Sequence, residues 1–305
     1  MNEIQKEILK QVADIEEAPA GAYNIRVDGQ SIGRKSSQAI DISPREDGQG
    51  LTITIAPDTD NEYVHIPVVI GQSGITESVL NDFYIGKNAK VTIIAGCGIH
   101  TGSDEASQHD GIHSFYLEEG AHVTYEEKHY GTGAGTGKRV LNPVTKIFMK
   151  ENSFMQMNSI QIEGVDSTKR ATYATLKAGA QLQVRENLMT HDEQSAETLF
   201  EVELKGDDCK AHVVSRSVAK DHSTQTFISK MDGLASCSGR TECDAIIMGD
   251  ATVKAIPEIT AAHIDASLVH EAAIGRIAGE QLTKLMTLGL TQEEAEEQII
   301  KGFLK

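Results

Sequence analysis

From about residue 22 to residue 260 the chain alternates apolar and polar positions with a period of two. The runs are short, among them LTITIAP (51–57), KVTIIAG (90–96), HSFYLEEG (113–120), HVTYEEK (122–128), QLQVREN (181–187) and HVVSRSV (212–218). This is the pattern of strands with one buried face. The turns between them share a form, a small or polar pair followed by a new alternating run, as in GKNAKV (86–91), LEEGAHV (117–123), MKENSFM (149–155), LKAGAQL (176–182) and MGDATV (248–253). Asn88, Gly120, Asn152 and Gly179 mark steps of 32, 32 and 27 residues, a repeat length that favours a β-helix over a sandwich. In such a coil every strand pairs with the turn above and below, so open edges remain only at the two ends.

The period is helical at both termini. Ile4, Ile8, Leu9, Val12 and Ile15 form one stripe amid Glu and Lys, which predicts a short amphipathic helix ending before Ala18-Pro19-Ala20-Gly21. At the other end SLVHEAAIGRIAGEQLTKLMTLG (267–289) spaces Ile274, Ile277, Leu282 and Leu285 as a helix would, with Gly289 as its stop. Thr291 and Glu294 then form an S/T-x-x-E capping box before the stripe Ala295, Ile299, Ile300 and Phe303. The domain reading is an N-terminal helix over 1–20, a β-helix core over 21–264 and a helical hairpin over 265–305. That hairpin either docks on the last coil or is offered to a partner.

Composition narrows the function. With 28 Lys and Arg against 45 Asp and Glu the formal charge is −17, which repels a phosphate backbone and argues against nucleic acid. No apolar run approaches the roughly 18 residues of a spanning helix. The first twenty residues lack the basic and apolar regions of a secretory signal, so a cytoplasmic protein without membrane association is expected. Cys97, Cys209, Cys237 and Cys243 show no C-x-x-C spacing. No phosphate-loop, dinucleotide, HExxH or G-x-S-x-G motif is present. GTGAGTGKR (131–139) lacks the Ser or Thr of a phosphate loop and reads as a flexible loop.

Two stretches carry candidate chemistry. GCGIHTGSDEASQHDGIH (96–113) gathers Cys97, His100, His109 and His113 with Asp104, Glu105 and Asp110, a thiol and imidazole set suited to zinc, iron or copper; a solvated loop and a buried core cysteine are the competing readings. CSGRTECDAII (237–247) and HEAA (270–273) could bring a thiol, an imidazole and a carboxylate together if the coils stack them. Arg240 could then lower the Cys243 pKa, and a core cysteine is again the alternative. A Glu at a helix start needs no functional reason.

The residues 242–259, ECDAIIMGDATVKAIPEI, and 268–303, LVHEAAIGRIAGEQLTKLMTLGLTQEEAEEQIIKGF, resemble the C-terminal region of the SufB/SufD scaffold proteins of iron–sulfur cluster assembly. AKDHSTQTFISKM (219–231) and AGCG (95–98) also resemble segments of SufB. The resemblance covers most of the chain from about residue 60. It implies a mainly β fold, a right-handed parallel β-helix with a short N-terminal helix and a C-terminal helical hairpin. It also implies that the protein is a scaffold and not an enzyme. Cys243, with His270 and Glu271, would be the subunit-interface site for iron and a transient iron–sulfur cluster. Cys97 would receive sulfur from a cysteine desulfurase system, and a SufC-type ABC ATPase would dock on the C-terminal helices. His109 matches a SufB histidine without an assigned role. The second subunit is SufB- or SufD-like, and thiols at both positions favour a homodimer of a compact SufB-like chain. The long N-terminal section and a tryptophan of the SufB pattern near 126–131 are missing. The alternative is a carbohydrate-binding or lyase-like β-helix, or a purely structural interaction module. The absence of Trp and a content of 5% aromatic residues weigh against a sugar groove.

Overall fold

The structure is a computed structural model and describes residues 1–17 and 19–305. Helix α1 (Glu3–Ala13) precedes two strand pairs, β1 (Ala22–Val27) with β2 (Gln30–Lys35) and β3 (Ile40–Pro44) with β4 (Gly50–Ile55). The coils follow as β5 (Glu62–Ile70), β6 (Thr76–Ile85), β7 (Lys90–His100), β8 (Ser107–Leu117), β9 (His122–Thr132), β10 (Arg139–Leu141), β11 (Val144–Met149) and β12 (Phe154–Glu163). They continue through β13 (Ser167–Leu176), β14 (Gln181–Thr190), β15 (Ser195–Leu204), β16 (Lys210–Ala219), β17 (Thr224–Gly233), β18 (Ser238–Ile247), β19 (Thr252–Ala261) and β20 (Ser267–Gly275). Helices α2 (Gly279–Thr287) and α3 (Gln292–Phe303) come last.

Successive coils contribute alternately to two facing sheets, one running β2-β1-β5-β7-β9-β12-β14-β16-β18-β20 and the other from β19 to β3. Pairing along each sheet is parallel from coil to coil, as in β14 on β16 and β13 on β15, and antiparallel within the first two strand pairs. The result is a mainly β solenoid of about 8 turns. The spacing marks stack as expected. Asp58, Asn88, Gly120, Asn152, Gly179 and Asp208 all adopt left-handed φ values, from +56° to +69°, a conformation open to Gly and tolerated by Asn and Asp. Each donates its backbone N–H to a carbonyl of the next coil, Asn88 to Glu119 and Gly120 to Glu151 among them. Inside, one half of the section is apolar, with Phe83 and Phe115 stacked at 4.6 Å.

Helix α1 begins at an Asn2–Gln5 capping box and lays Ile8, Leu9 and Val12 on the outer face of the first sheet. Gly96 and Gly98 permit this approach, because a Cβ on Gly98 would lie 2.1 Å from Ile8 Cγ2 and one on Gly96 2.5 Å from the Val12 carbonyl. The AGCG run thus has two faces, glycine outward under the helix and Cys97 inward.

Three local expectations are corrected. Residues 267–275 form strand β20, paired with β18, so His270 and Glu271 lie on a strand and the helical part starts at Gly279. Every residue of β20 has its partner in β18, and that ladder outweighs the weak helical periodicity. The α2–α3 hairpin leaves the last coil uncovered. Its second helix, capped by Thr291 and Glu294, lies instead over Ile162 and Met189 of the first sheet and Met248 just past β18. Asn187 Nδ2 donates to the Leu304 carbonyl at 2.8 Å and Arg216 to that of Lys305 at 3.0 Å. Finally, 131–139 is closely packed rather than flexible, with Gly135 and Gly137 donating to the Thr101 and Ser103 carbonyls at 2.9 Å. A Cβ at Gly133, Gly135 or Gly137 would fall 2.0–2.3 Å from that backbone.

Candidate functional site

Because ladder partners share a face, register alone places the candidate residues. Along the first sheet one inward row reads Ile66, Ala95, Glu127, Ser159, Glu186, Ser215, Cys243 and Ala272. The inward row two residues on carries Val68, Cys97, His129 and Gln161. Cys97 on β7 and Cys243 on β18 therefore face the same interior, five strand steps apart, or about 24 Å at roughly 4.8 Å per step.

Polar groups fill the space between them. Arg170, inward on β13, donates to Glu127 and lies 3.0 Å from His129 Nδ1 and 3.5 Å from Glu186. Glu186 also accepts from Thr198 at 3.0 Å and Ser215 at 2.7 Å, which brings the chain of bonds to the residue paired with Cys243. At the other end Tyr125 donates to Glu127 at 2.9 Å and meets His113 Nδ1 at 2.8 Å. Against the opposing effect of burial, the Arg170 guanidinium, with His129 beside it, holds Glu127 well below the usual carboxylate range. Burial pushes His113 down to about 4, so it is neutral at physiological pH. Ser159 Oγ, Gln161 Oε1 and Thr172 Oγ1 are buried here without a hydrogen-bond partner among the described residues.

Cys243 is 1% exposed, and burial, reinforced by Glu186 and Asp244, pushes its thiol up to about 12. The expected help from Arg240 is absent. Arg240 faces outward and binds Glu242 at 2.5 Å and Glu271 at 2.7 Å. His270, paired with Thr241, shares the inner face with Cys243, and both its ring nitrogens are buried without a partner among the described residues. Glu271 pairs with Glu242 on the opposite face. Within one chain, then, Cys243 and His270 share the inner face of adjacent strands, two register positions apart, and Glu271 does not join them. β20 and β19 are the terminal strands of their sheets and expose Ile256, Ile259, Val269 and Ile274.

Cys97 is buried among Val68, Ile99, Leu141 and Val165, with its pKa raised by burial. His109 and His113 from the facing sheet line a cavity of about 20 Å³ with it. His100 and the acids Asp104, Glu105 and Asp110 are not part of that lining. Three metal-ligating groups within 4.8 Å of one another occur, among the described residues, at His191, Asp192 and Asp221 on the surface, where they make turn hydrogen bonds to each other.

Residues 77–303 match the family model for the SUF system FeS cluster assembly SufBD core domain. The chain belongs to the SufBD family. An iron-sulfur cluster assembly SufBD family protein of Methanothermobacter thermautotrophicus is 29% identical over 77% of this chain and 57% of its own length, so this chain spans little more than half of that relative. SufBD family proteins of Pyrococcus horikoshii and Methanocaldococcus jannaschii are 29% and 26% identical over 85% and 79% of the chain, and 78% and 76% of theirs. Among the described residues no helix is long and apolar enough to cross a membrane.

Sequence reasoning missed Glu127, Arg170 and Glu186. Its one signal was phase: in YEEKHY (125–130) Tyr125, Glu127 and His129 occupy the positions that Ile93, Ala95 and Cys97 occupy one coil earlier, so an inward carboxylate was readable only by treating polar residues as core.

Proposed function

We propose that this SufBD family protein is a scaffold subunit of a SUF-type complex, on which a nascent iron–sulfur cluster forms at Cys243 and His270. The observation that carries this reading is an interior thiol on β18, one strand from an uncovered sheet edge, that shares its inner face with a buried imidazole on the edge strand β20, unpartnered among the described residues. A mixed thiolate and imidazole site suits transfer, because cluster iron bound by fewer thiolates than a permanent all-cysteine site supplies is more readily released.

The scaffold is a compact SufB-like chain that pairs with a second copy through the edges of β19 and β20. Such a two-fold joint satisfies the open strand edges and covers the exposed isoleucines. It also sets two Cys243 and His270 pairs near one axis, where Glu271 of either chain reaches the shared rim. A SufB–SufD type heterodimer is the other pairing of the same edges. The buried, protonated thiol must be uncovered before it binds iron, and a SufC-type ABC ATPase acting on the hairpin supplies that opening. Leu282, Leu285 and Met286 of α2, a helix with no buried residue, offer it a surface. ATP hydrolysis belongs to that partner, and this chain is not itself an enzyme. The setting is cytoplasmic, with a cysteine desulfurase system as sulfur source. Cys97, a buried thiol facing the solenoid interior, is the acceptor of that sulfur in this reading.

Anaerobic reconstitution with iron, sulfide and the cognate ATPase tests the proposal. Wild type is expected to hold stoichiometric, oxygen-labile iron and sulfide, Cys243→Ser to lose both, and Glu271→Ala to retain less. Background iron in folded wild type would end the scaffold reading and turn attention to the exposed Tyr84–Tyr116–Phe148 ladder, stacked at 4.9 and 5.1 Å, as a sugar-binding surface.

A further inference from the structure

Gly111 faces the interior of β8, and the space a Cβ would occupy there is bordered by two imidazole nitrogens. His109 Nε2 lies 3.2 Å and His113 Nε2 3.7 Å from that point. Cys97 lines the same cavity. At about 20 Å³ the cavity has room for about one water-sized particle, which suits a single ion and excludes an organic ligand.

The outer nitrogens of both rings are already committed. His109 Nδ1 faces Glu77 Oε1 at 3.1 Å. A carboxylate only accepts, so the proton sits on Nδ1 and the Nε2 lone pair points into the cavity. Arg26 fixes Glu77 at 2.9 Å. His113 Nδ1 meets Tyr125 Oη at 2.8 Å, and that hydroxyl gives its own proton to Glu127 at 2.9 Å, so Nδ1 is again the donor. The His113 Nε2 lone pair has only a long contact, 3.3 Å, from the Asn81 amide. Metal-binding histidines are oriented in this manner, the far ring N–H held by a carboxylate directly or through a relay.

We propose that this cavity binds one divalent transition-metal ion through Cys97 Sγ, His109 Nε2 and His113 Nε2. Two imidazoles and a thiolate select zinc, cobalt or iron(II) over magnesium or calcium, which require oxygen. Naming iron(II) as the natural occupant rests on the scaffold reading; the site itself does not. As folded, the three donor atoms are not all within 4.8 Å of one another, so binding includes a local movement that draws them closer. On binding, the Cys97 S–H bond breaks, the sulfur–metal bond forms and the proton leaves to solvent. The metal role requires only an ion to reach Cys97, whereas sulfur transfer requires a donor protein's thiol to approach it.

The test is anaerobic titration of the reduced full-length chain with cobalt(II), read by its thiolate-to-metal charge-transfer absorption, with circular dichroism as the folding control. One equivalent per chain is expected in wild type and in Cys243→Ser, with the band lost in Cys97→Ser. Glu77→Gln should bind roughly 10–100-fold more weakly through loss of ring orientation. Gly111→Ala should lose at least about tenfold, because its methyl fills the cavity. These two variants leave the ligands intact and carry the test if Cys97→Ser does not fold. No stoichiometric band in wild type, a band unchanged in Cys97→Ser, full affinity in both Glu77→Gln and Gly111→Ala, or a band lost in Cys243→Ser alone would overturn the proposal. Failure of the scaffold reading appears separately, as missing sulfide in reconstitution with the cobalt band intact.

Discussion

Arg170 of β13 and Glu127 of β9 meet across the solenoid interior, each 4% exposed. Removing the cation leaves Glu127 and Glu186 buried without it. Arg170→Met is therefore expected to cost about 3–5 kcal/mol, the range for breaking a buried ion pair from one side, read from urea unfolding. A loss below about 1 kcal/mol would mean that interior water already solvates these carboxylates.

Cys243 and Cys97 should differ in how they become reactive. Cys243 is covered by β20, an edge strand whose residues are half-buried to exposed, whereas Cys97 lies between fully paired coils. Edge elements open at lower free energy than the global transition. Alkylation mapped by mass spectrometry across a urea series should label Cys243 before the global midpoint and Cys97 only with it. Simultaneous labelling would contradict the idea of a separately opening end.

Acid should weaken the metal-free fold well above the carboxylate range. His113 titrates near 4 in the folded chain, against an ordinary histidine value of 6.5, so between these values the unfolded chain takes up the additional proton and stability falls as pH falls. From pH 7 to pH 5 this amounts to about 2 kcal/mol at 1.36 kcal/mol per unit, and the depressed pKa of His129 adds in the same direction. His113→Asn should flatten the slope of stability against pH. An unchanged slope would assign the acid sensitivity to other groups.

The seat of α1 is set by two glycines. Gly98→Ala places a methyl against Ile8 and should destabilise by about 1–3 kcal/mol through overpacking, seen as earlier protease cleavage after α1. Wild-type stability and protection would show that the helix shifts at no cost.

The solenoid was legible because the turn marks Asn88, Gly120, Asn152 and Gly179 need one unusual backbone conformation, which leaves a compositional trace. The capping box at Thr291 and the stripe of α1 were legible for similar local reasons. β20 was not, because an edge strand at the end of a stack is amphipathic on neither face, and Ala272, Ala273 and Ile274 fit a helix equally well. The site divided along the same line. Cys243 and His270 were placed by resemblance, but the outward turn of Glu271 depends on register, which a single strand does not disclose. The Glu127–Arg170–Glu186 bridge joins residues from three coils and both sheets, and nothing local in any of the three announces it.

The free terminal strand also makes Cys243 a matter of position in a stack. One additional coil laid on β20 would leave every bond of β18 unchanged and enclose the same thiol as permanent filling. A solenoid of this kind can gain or lose an interface chemistry by changing its number of repeats, without substituting a single residue of the site.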